Sequence, residues 1–193
     1  MSALTAVLSG VLASNFVFAR GFGVGMSIIA ASSRQKLLRI CAVVTYFSCM
    51  SSLCIWVVRH FFGLGVETEI LPLMYVTVIS VIYLLSLFFC VLFFRKRFVS
   101  IRKYIHISAF NSLVMGTAYL VSSGRNDAGE FMIFGLSAGL GFTLASVMLS
   151  AVYPLLSSEK VPKAFRGYPA VMIFIGVISM AMVGILGAAP SYR

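Results

Sequence analysis

Two short runs of polar and glycine residues interrupt apolar stretches of this chain, and they are where chemistry could sit. The first reads Ser14-Asn15-Phe16-Val17-Phe18-Ala19-Arg20-Gly21-Phe22-Gly23-Val24-Gly25. The second carries His106, Ser108, Asn111, Ser112 and Gly116. Asn15 comes twelve residues after Ala3, which opens an apolar stretch. At about 1.5 Å per helical residue, that is close to the middle of a bilayer. Arg20 then brings a charge to the same depth, and Gly21, Gly23 and Gly25 follow at alternate positions. Each glycine inside a helix costs about 1 kcal/mol relative to alanine, so the run predicts a broken helix. Non-helical backbone at this depth survives only inside protein or beside a water-filled cavity. An intramembrane charge such as Arg20 marks a functional site by default, the bland alternative being a side chain that snorkels or meets a carbonyl.

Other chemistry is scarce. All five acids (Glu67, Glu69, Asp127, Glu130 and Glu159) fall in the loops, so no carboxylate sits where an ion or proton pump acting alone would need one. Cys41, Cys49, Cys54 and Cys90 lie in apolar stretches without a Cys-x-x-Cys pair or zinc-like spacing, and read as small hydrophobes in the packing. The Gly21–Gly25 run follows no strand, so it is no phosphate-cradling loop. His106 reads as an interfacial histidine rather than a proton relay. No catalytic residue and no metal ligand is assigned, and the expectation is a subunit or scaffold with no self-contained active site.

The elements that must position these residues are set by hydrophobicity. Of 193 residues, 61% are hydrophobic and 10% charged, with a mean hydropathy of +1.05, so lipid must solvate most of the chain. A span takes about 20 apolar residues as a helix. Six stretches qualify, at about 3–31, 37–62, 70–94, 104–122, 131–156 and 169–188. They are continuously apolar and do not alternate, which argues against a β-barrel. No basic run precedes the first stretch and no small-residue cleavage site follows it, so it reads as a retained span.

The net charge of +10 is a topology signal rather than a nucleic-acid footprint. Arg34, Lys36 and Arg39 occupy the first loop; Arg95, Lys96, Arg97, Arg102 and Lys103 the third; and Lys160, Lys163 and Arg166 the fifth. Arg59, Arg125 and Arg193 fall on the opposite side, along with four of the five acids. The positive-inside rule then places the three basic loops in the cytoplasm and both termini outside. The same positive face suits anionic lipid headgroups. Three spans per half give a single domain, 1–193, of two inverted repeats, at about 1–95 and 100–190, each opening with an interrupted helix. Such paired interruptions point to a site near the bilayer midplane. Taken alone, Asn111 and Ser112 would read as ordinary bonds to a neighbouring helix. Gly135, Gly139 and Gly141 in the fifth stretch favour close helix packing.

The stretches Ser14-Asn15-Phe16-Val17, Ser51-Ser52-Leu53-Cys54-Ile55-Trp56, Phe134-Gly135-Leu136-Ser137-Ala138-Gly139-Leu140-Gly141-Phe142 and Val161-Pro162-Lys163-Ala164-Phe165-Arg166-Gly167 resemble one known family. It is that of the A-type membrane subunit of the Rnf complex and its paralogue, the E subunit of the sodium-translocating NADH:quinone reductase. The similarity covers nearly the whole chain. It implies an all-α integral membrane fold of six helices in a prokaryotic plasma (inner) membrane. It implies a complex passing electrons from ferredoxin or NADH to an acceptor, coupled to sodium or proton transport. It further implies pairing with a homologous six-helix subunit, the two sharing a 2Fe–2S cluster held by cysteines at the broken helices.

By register those cysteines fall at Gly25 and Ser112, so this chain is expected to bind no cluster of its own. The acid that ends the family's third helix falls at Val91, and an Arg-Glu pair at Tyr153-Pro154. Pairing is expected through the glycine-rich helices, and Val161, Pro162, Phe165, Arg166 and Gly167 are expected to contact a soluble partner. Asn15, Arg20, Gly21, Gly23, Gly25, Asn111 and Ser112 are the pathway candidates. The rival expectation is a small secondary transporter with its substrate site at the two breaks, and a third is a purely structural assembly subunit.

Overall fold

The computed structural model describes residues 3–12, 15–62, 71–93, 95, 98–121 and 127–186. Ser14, Glu67, Glu69, Lys96, Arg97, Arg125 and Arg193 lie outside them. Every regular element among the described residues is a helix: α1 (Ala3–Leu12), α2 (Phe16–Arg20), α3 (Val24–Ala31), α4 (Arg34–Phe62), α5 (Leu71–Phe93), α6 (Phe98–Ala109), α7 (Ser112–Val121), α8 (Ala128–Leu156) and α9 (Tyr168–Leu186). Among the described residues, three helices are long and apolar enough to cross a membrane, over Gln35–Phe61, Leu71–Phe93 and Ala128–Leu156. Ser112–Val121 and Tyr168–Met182 are shorter apolar helices.

The second, third and fifth apolar stretches are thus each one helix. The first is broken into α1, α2 and α3, and the fourth into α6 and α7, as the glycine and asparagine positions predict. Three starts differ from the hydrophobic reading, among them α8, which begins at Ala128 rather than near 131 behind an Asp127 cap. α4 begins at Arg34 rather than near 37, and α6 at Phe98 rather than near 104. In α4 and α6, basic residues extend the helix beyond its apolar run, since long Lys and Arg stems pack along a helix while the charge reaches water.

The core is built on α4 against α8. A Cβ added at Gly139 would come within 2.6 Å of Thr45 Cα, and one at Gly135 within 2.7 Å of the Ser48 carbonyl oxygen. Contacts that pair 45 with 139 and 48 with 135 require the two helices to run antiparallel. Ser48 seals the crossing by donating to the Gly135 carbonyl at 2.9 Å, and its hydroxyl also lies 3.4 Å from Thr117 Oγ1 of α7. The Gly-x-x-x-Gly face is therefore occupied inside this chain. That corrects the expectation that these glycines pair with another subunit. Small residues let backbones approach where lipid supplies no hydrophobic drive between helices, and α4 takes that opportunity first.

Because α4 and α8 are antiparallel, the start of α4 and the end of α8 share one end of the molecule. Residues 157–167 after α8 form a tight loop. Gly167, at φ 81°, donates its N–H to the Leu156 carbonyl, and the Arg166 guanidinium donates to the Glu159 carbonyl at 3.1 Å. Phe165 stays exposed on this loop.

Candidate functional site

The first break starts at Asn15, which is buried at 1% exposure. Its Oδ1 accepts from the N–H groups of Val17 at 3.0 Å and Phe18 at 3.3 Å, which makes it the N-cap of α2. An asparagine cap satisfies donors that a helix start otherwise leaves orphaned. Its Nδ2 donates backward to the Val11 carbonyl and across to the Gly141 carbonyl of α8, each at 3.0 Å. All the polar capacity of one buried side chain thus holds the break open and ties it to α8.

α2 lasts five residues and closes on Gly21. Gly21 at φ 70° and Gly23 at φ 79° are both left-handed, a conformation glycine takes without steric cost. At Gly23 a Cβ would also meet Leu113 Cβ at 3.0 Å and the Phe142 ring at 3.3 Å. Gly25 is different. It lies in the first turn of α3, and a Cβ added there meets nothing within 4 Å. Glycine at this position answers neither a backbone nor a packing demand.

The second break falls at Phe110 and Asn111, between α6 and α7. Asn111 Oδ1 accepts from Leu113 N–H at 3.4 Å, a weak version of the Asn15 cap. Its Nδ2 is buried and has no acceptor among the described residues. Next to it, Ser112 Oγ accepts the Gly23 N–H at 2.9 Å. One hydrogen bond therefore joins the two breaks, 89 residues apart in the chain. Phe22 reinforces the junction, its ring filling the space beside Gly116 where a Cβ would come within 2.6 Å.

Asn15, Gly23 and Asn111 are buried in this junction, whereas Arg20, Gly21, Gly25 and Ser112 are exposed at its surface. Neither of two cavities found between α4, α5 and α6 is lined by residues of the breaks. His106 lies elsewhere, bonded to Tyr83 Oη and to Arg102 Nε on the flank of α6. The loop residues Val161, Pro162, Phe165, Arg166 and Gly167 sit beyond the end of α8, apart from the junction.

The residue types at the junction can be tested against an iron–sulfur cluster, which needs thiolate or imidazole ligands. Gly25 has no side chain, and the Ser112 hydroxyl is engaged by Gly23. Cys41, Cys49 and Cys54 belong to α4 and Cys90 to α5, none of them at a break. Among the described residues no three His, Cys, Asp or Glu side chains come together. The donor set does not fit a 2Fe–2S cluster.

A model of the Rnf-Nqr subunit family of membrane proteins matches residues 3–189. The chain belongs to this family. It is similar to a protein from Shewanella sediminis (strain HAW-EB3) named as the A subunit of the ion-translocating oxidoreductase complex, at 27% identity over 95% of this chain and 96% of the relative. It is likewise similar to the protein of that name from Shewanella baltica (strain OS223), at 26% identity over the same shares. As an Rnf-Nqr subunit it is a multi-pass membrane protein, and the broken first and fourth stretches belong to a chain matched almost end to end.

Proposed function

We propose that this chain is a membrane subunit of an ion-translocating oxidoreductase complex that keeps the half-helix scaffold and binds no cluster of its own. The observation that carries the reading is the Gly23 N–H to Ser112 Oγ bond of 2.9 Å, which holds the two interrupted helices together beside a position, 25, that has open space and no ligand. Six crossings in two inverted halves, at about 1–95 and 100–190, are the arrangement proposed. The basic loops face the cytoplasm of a prokaryotic inner membrane, and both termini lie outside.

A homologous six-helix subunit is the proposed neighbour of the junction. Arg20, Gly21, Gly25 and Ser112 are exposed there, and an uncompensated charge at that depth is costly unless protein or water meets it. On this reading Arg20 faces the neighbour, and Asn15, Gly23 and Asn111 shape the backbone that presents it. The loop of Val161, Pro162, Phe165, Arg166 and Gly167 is the proposed contact for a soluble partner, with Phe165 as its exposed apolar element.

Iron analysis and EPR spectroscopy of the complex purified with its partners test this. The expected result is no 2Fe–2S signal assignable to this subunit. A stoichiometric signal that disappears when the subunit is removed would overturn the proposal. The permease alternative draws no support from the junction, where the Phe22 ring packs beside Gly116 and the Phe142 ring beside Gly23.

A further inference from the structure

A furrow runs between α4, α5 and α6, well away from the junction. Its inner part, about 400 Å³, is walled by Tyr46, Phe47, Phe89, Cys90 and Ile105. Its outer part, about 530 Å³, is walled by Arg39, Ser100 and Tyr104. Ala42, Val43 and Ile101 line both, so the two parts are continuous. The inner part has one polar feature, a contact of 3.3 Å between the hydroxyls of Tyr46 and Ser86, which satisfy each other. On the α5 side Phe88, Phe89, Leu92 and Phe93 are exposed, so the furrow opens sideways toward lipid.

Two observations identify the occupant. The first is charge. Arg39 has its guanidinium carbon 5.8 Å from the centre of the Tyr104 ring, and no described carboxylate pairs with it. Arg95 and Lys103 are exposed on either side of Ser100 in the sequence, while the first and third loops contain no acid at all. The second is length. Arg39 to Phe47 spans eight residues of α4, about 12 Å of rise, close to the half-thickness of about 15 Å of a bilayer's hydrocarbon core. A basic mouth at the membrane surface above an apolar furrow about one leaflet deep, open sideways toward lipid, suits a phosphate headgroup with its alkyl chain. Basic pockets between transmembrane helices bind anionic lipid headgroups in this way.

We propose that this furrow is a binding site for one anionic diacyl phospholipid, its phosphate at Arg39, Ser100 and Tyr104 and an acyl chain along Val43, Phe47 and Cys90. The proposal rests on the first and third loops sharing a membrane face and not on the redox reading, so iron content and lipid binding fail independently.

The test uses the purified complex, with phosphatidylglycerol and phosphatidylcholine as probes and bound lipid counted by native mass spectrometry. The wild type should retain phosphatidylglycerol in preference. Arg39→Gln should weaken phosphatidylglycerol binding about fivefold, the worth of one basic side chain near an anionic surface, and leave phosphatidylcholine unchanged. Arg39→Lys should keep most of the preference, and Lys163→Gln, in the other basic loop, all of it. Ala42→Phe, filling the passage between the two parts, should exclude both lipids. Equal phosphatidylglycerol retention by the wild type and Arg39→Gln would overturn the proposal. So would a cross-link from a Ser100→Cys variant to a neighbouring subunit, since a protein segment would then occupy the furrow.

Discussion

The two breaks use the same residue in the same role and differ in how completely it is satisfied. Asn15 makes four hydrogen bonds, two as cap of α2, one back to α1 and one across to α8. Asn111 accepts one backbone bond at 3.4 Å and one from the Ser112 hydroxyl at 3.5 Å, and leaves a buried amide nitrogen without an acceptor among the described residues. The first break also contains two left-handed glycines, whereas the second contains none. A broken helix in lipid must find partners for the backbone groups it frees. The first break finds them in its own side chain, in α8 and, for the Gly23 N–H, in the Ser112 hydroxyl of the second break; the second has only the weak Asn111 cap. The first is therefore the more completely satisfied break and the second the less.

That ranking can be broken by substitution, read as unfolding of the detergent-purified protein. Gly23→Ala should cost the most, about 3 kcal/mol. It adds the penalty of a left-handed alanine, about 1–2 kcal/mol, to a Cβ placed 3.0 Å from Leu113 Cβ. Asn15→Ala should follow at about 2 kcal/mol, combining a lost cap with a lost interhelical bond. Ser112→Ala should cost about 1 kcal/mol by stranding the Gly23 N–H. Asn111→Ala should cost least of the four, about 0.5 kcal/mol, because the weak cap is lost together with an unpartnered donor. A larger cost for Asn111→Ala than for Asn15→Ala would reverse the comparison.

Gly25→Cys sharpens it from the other direction. The position is open and helical, so the substitution should be neutral or stabilise by up to about 1 kcal/mol. Combined with Ser112→Cys it would place thiols at both junction positions. Iron bound by the double variant in the assembled complex, and absent from the wild type, would show that the scaffold kept the geometry when it lost the ligands.

Much of this was legible in the residues. Asn15 and the spacing of Gly21 and Gly23 foretold the first break, because glycine and a capping asparagine carry their conformational preferences with them. The break at Asn111 was legible only by analogy with the first, since a lone asparagine beside a serine bonds a neighbouring helix just as readily. The glycines of α8 announced a close approach without naming the partner. A sequence cannot rank α4 of the same chain against a helix of another. Phe22, which packs on Gly116, carried no signal, as aromatic residues are everywhere in this chain.

By itself the sequence determined that the chain lives in lipid, where its helices run and at which residues two of them must part, because hydropathy and backbone preference are properties of neighbouring residues. Only the tertiary structure decided that the two partings meet. The bonds from Gly23 to Ser112 and from Asn15 to Gly141 close over 89 and 126 residues, and such closures exist only once distant parts of the chain have packed together.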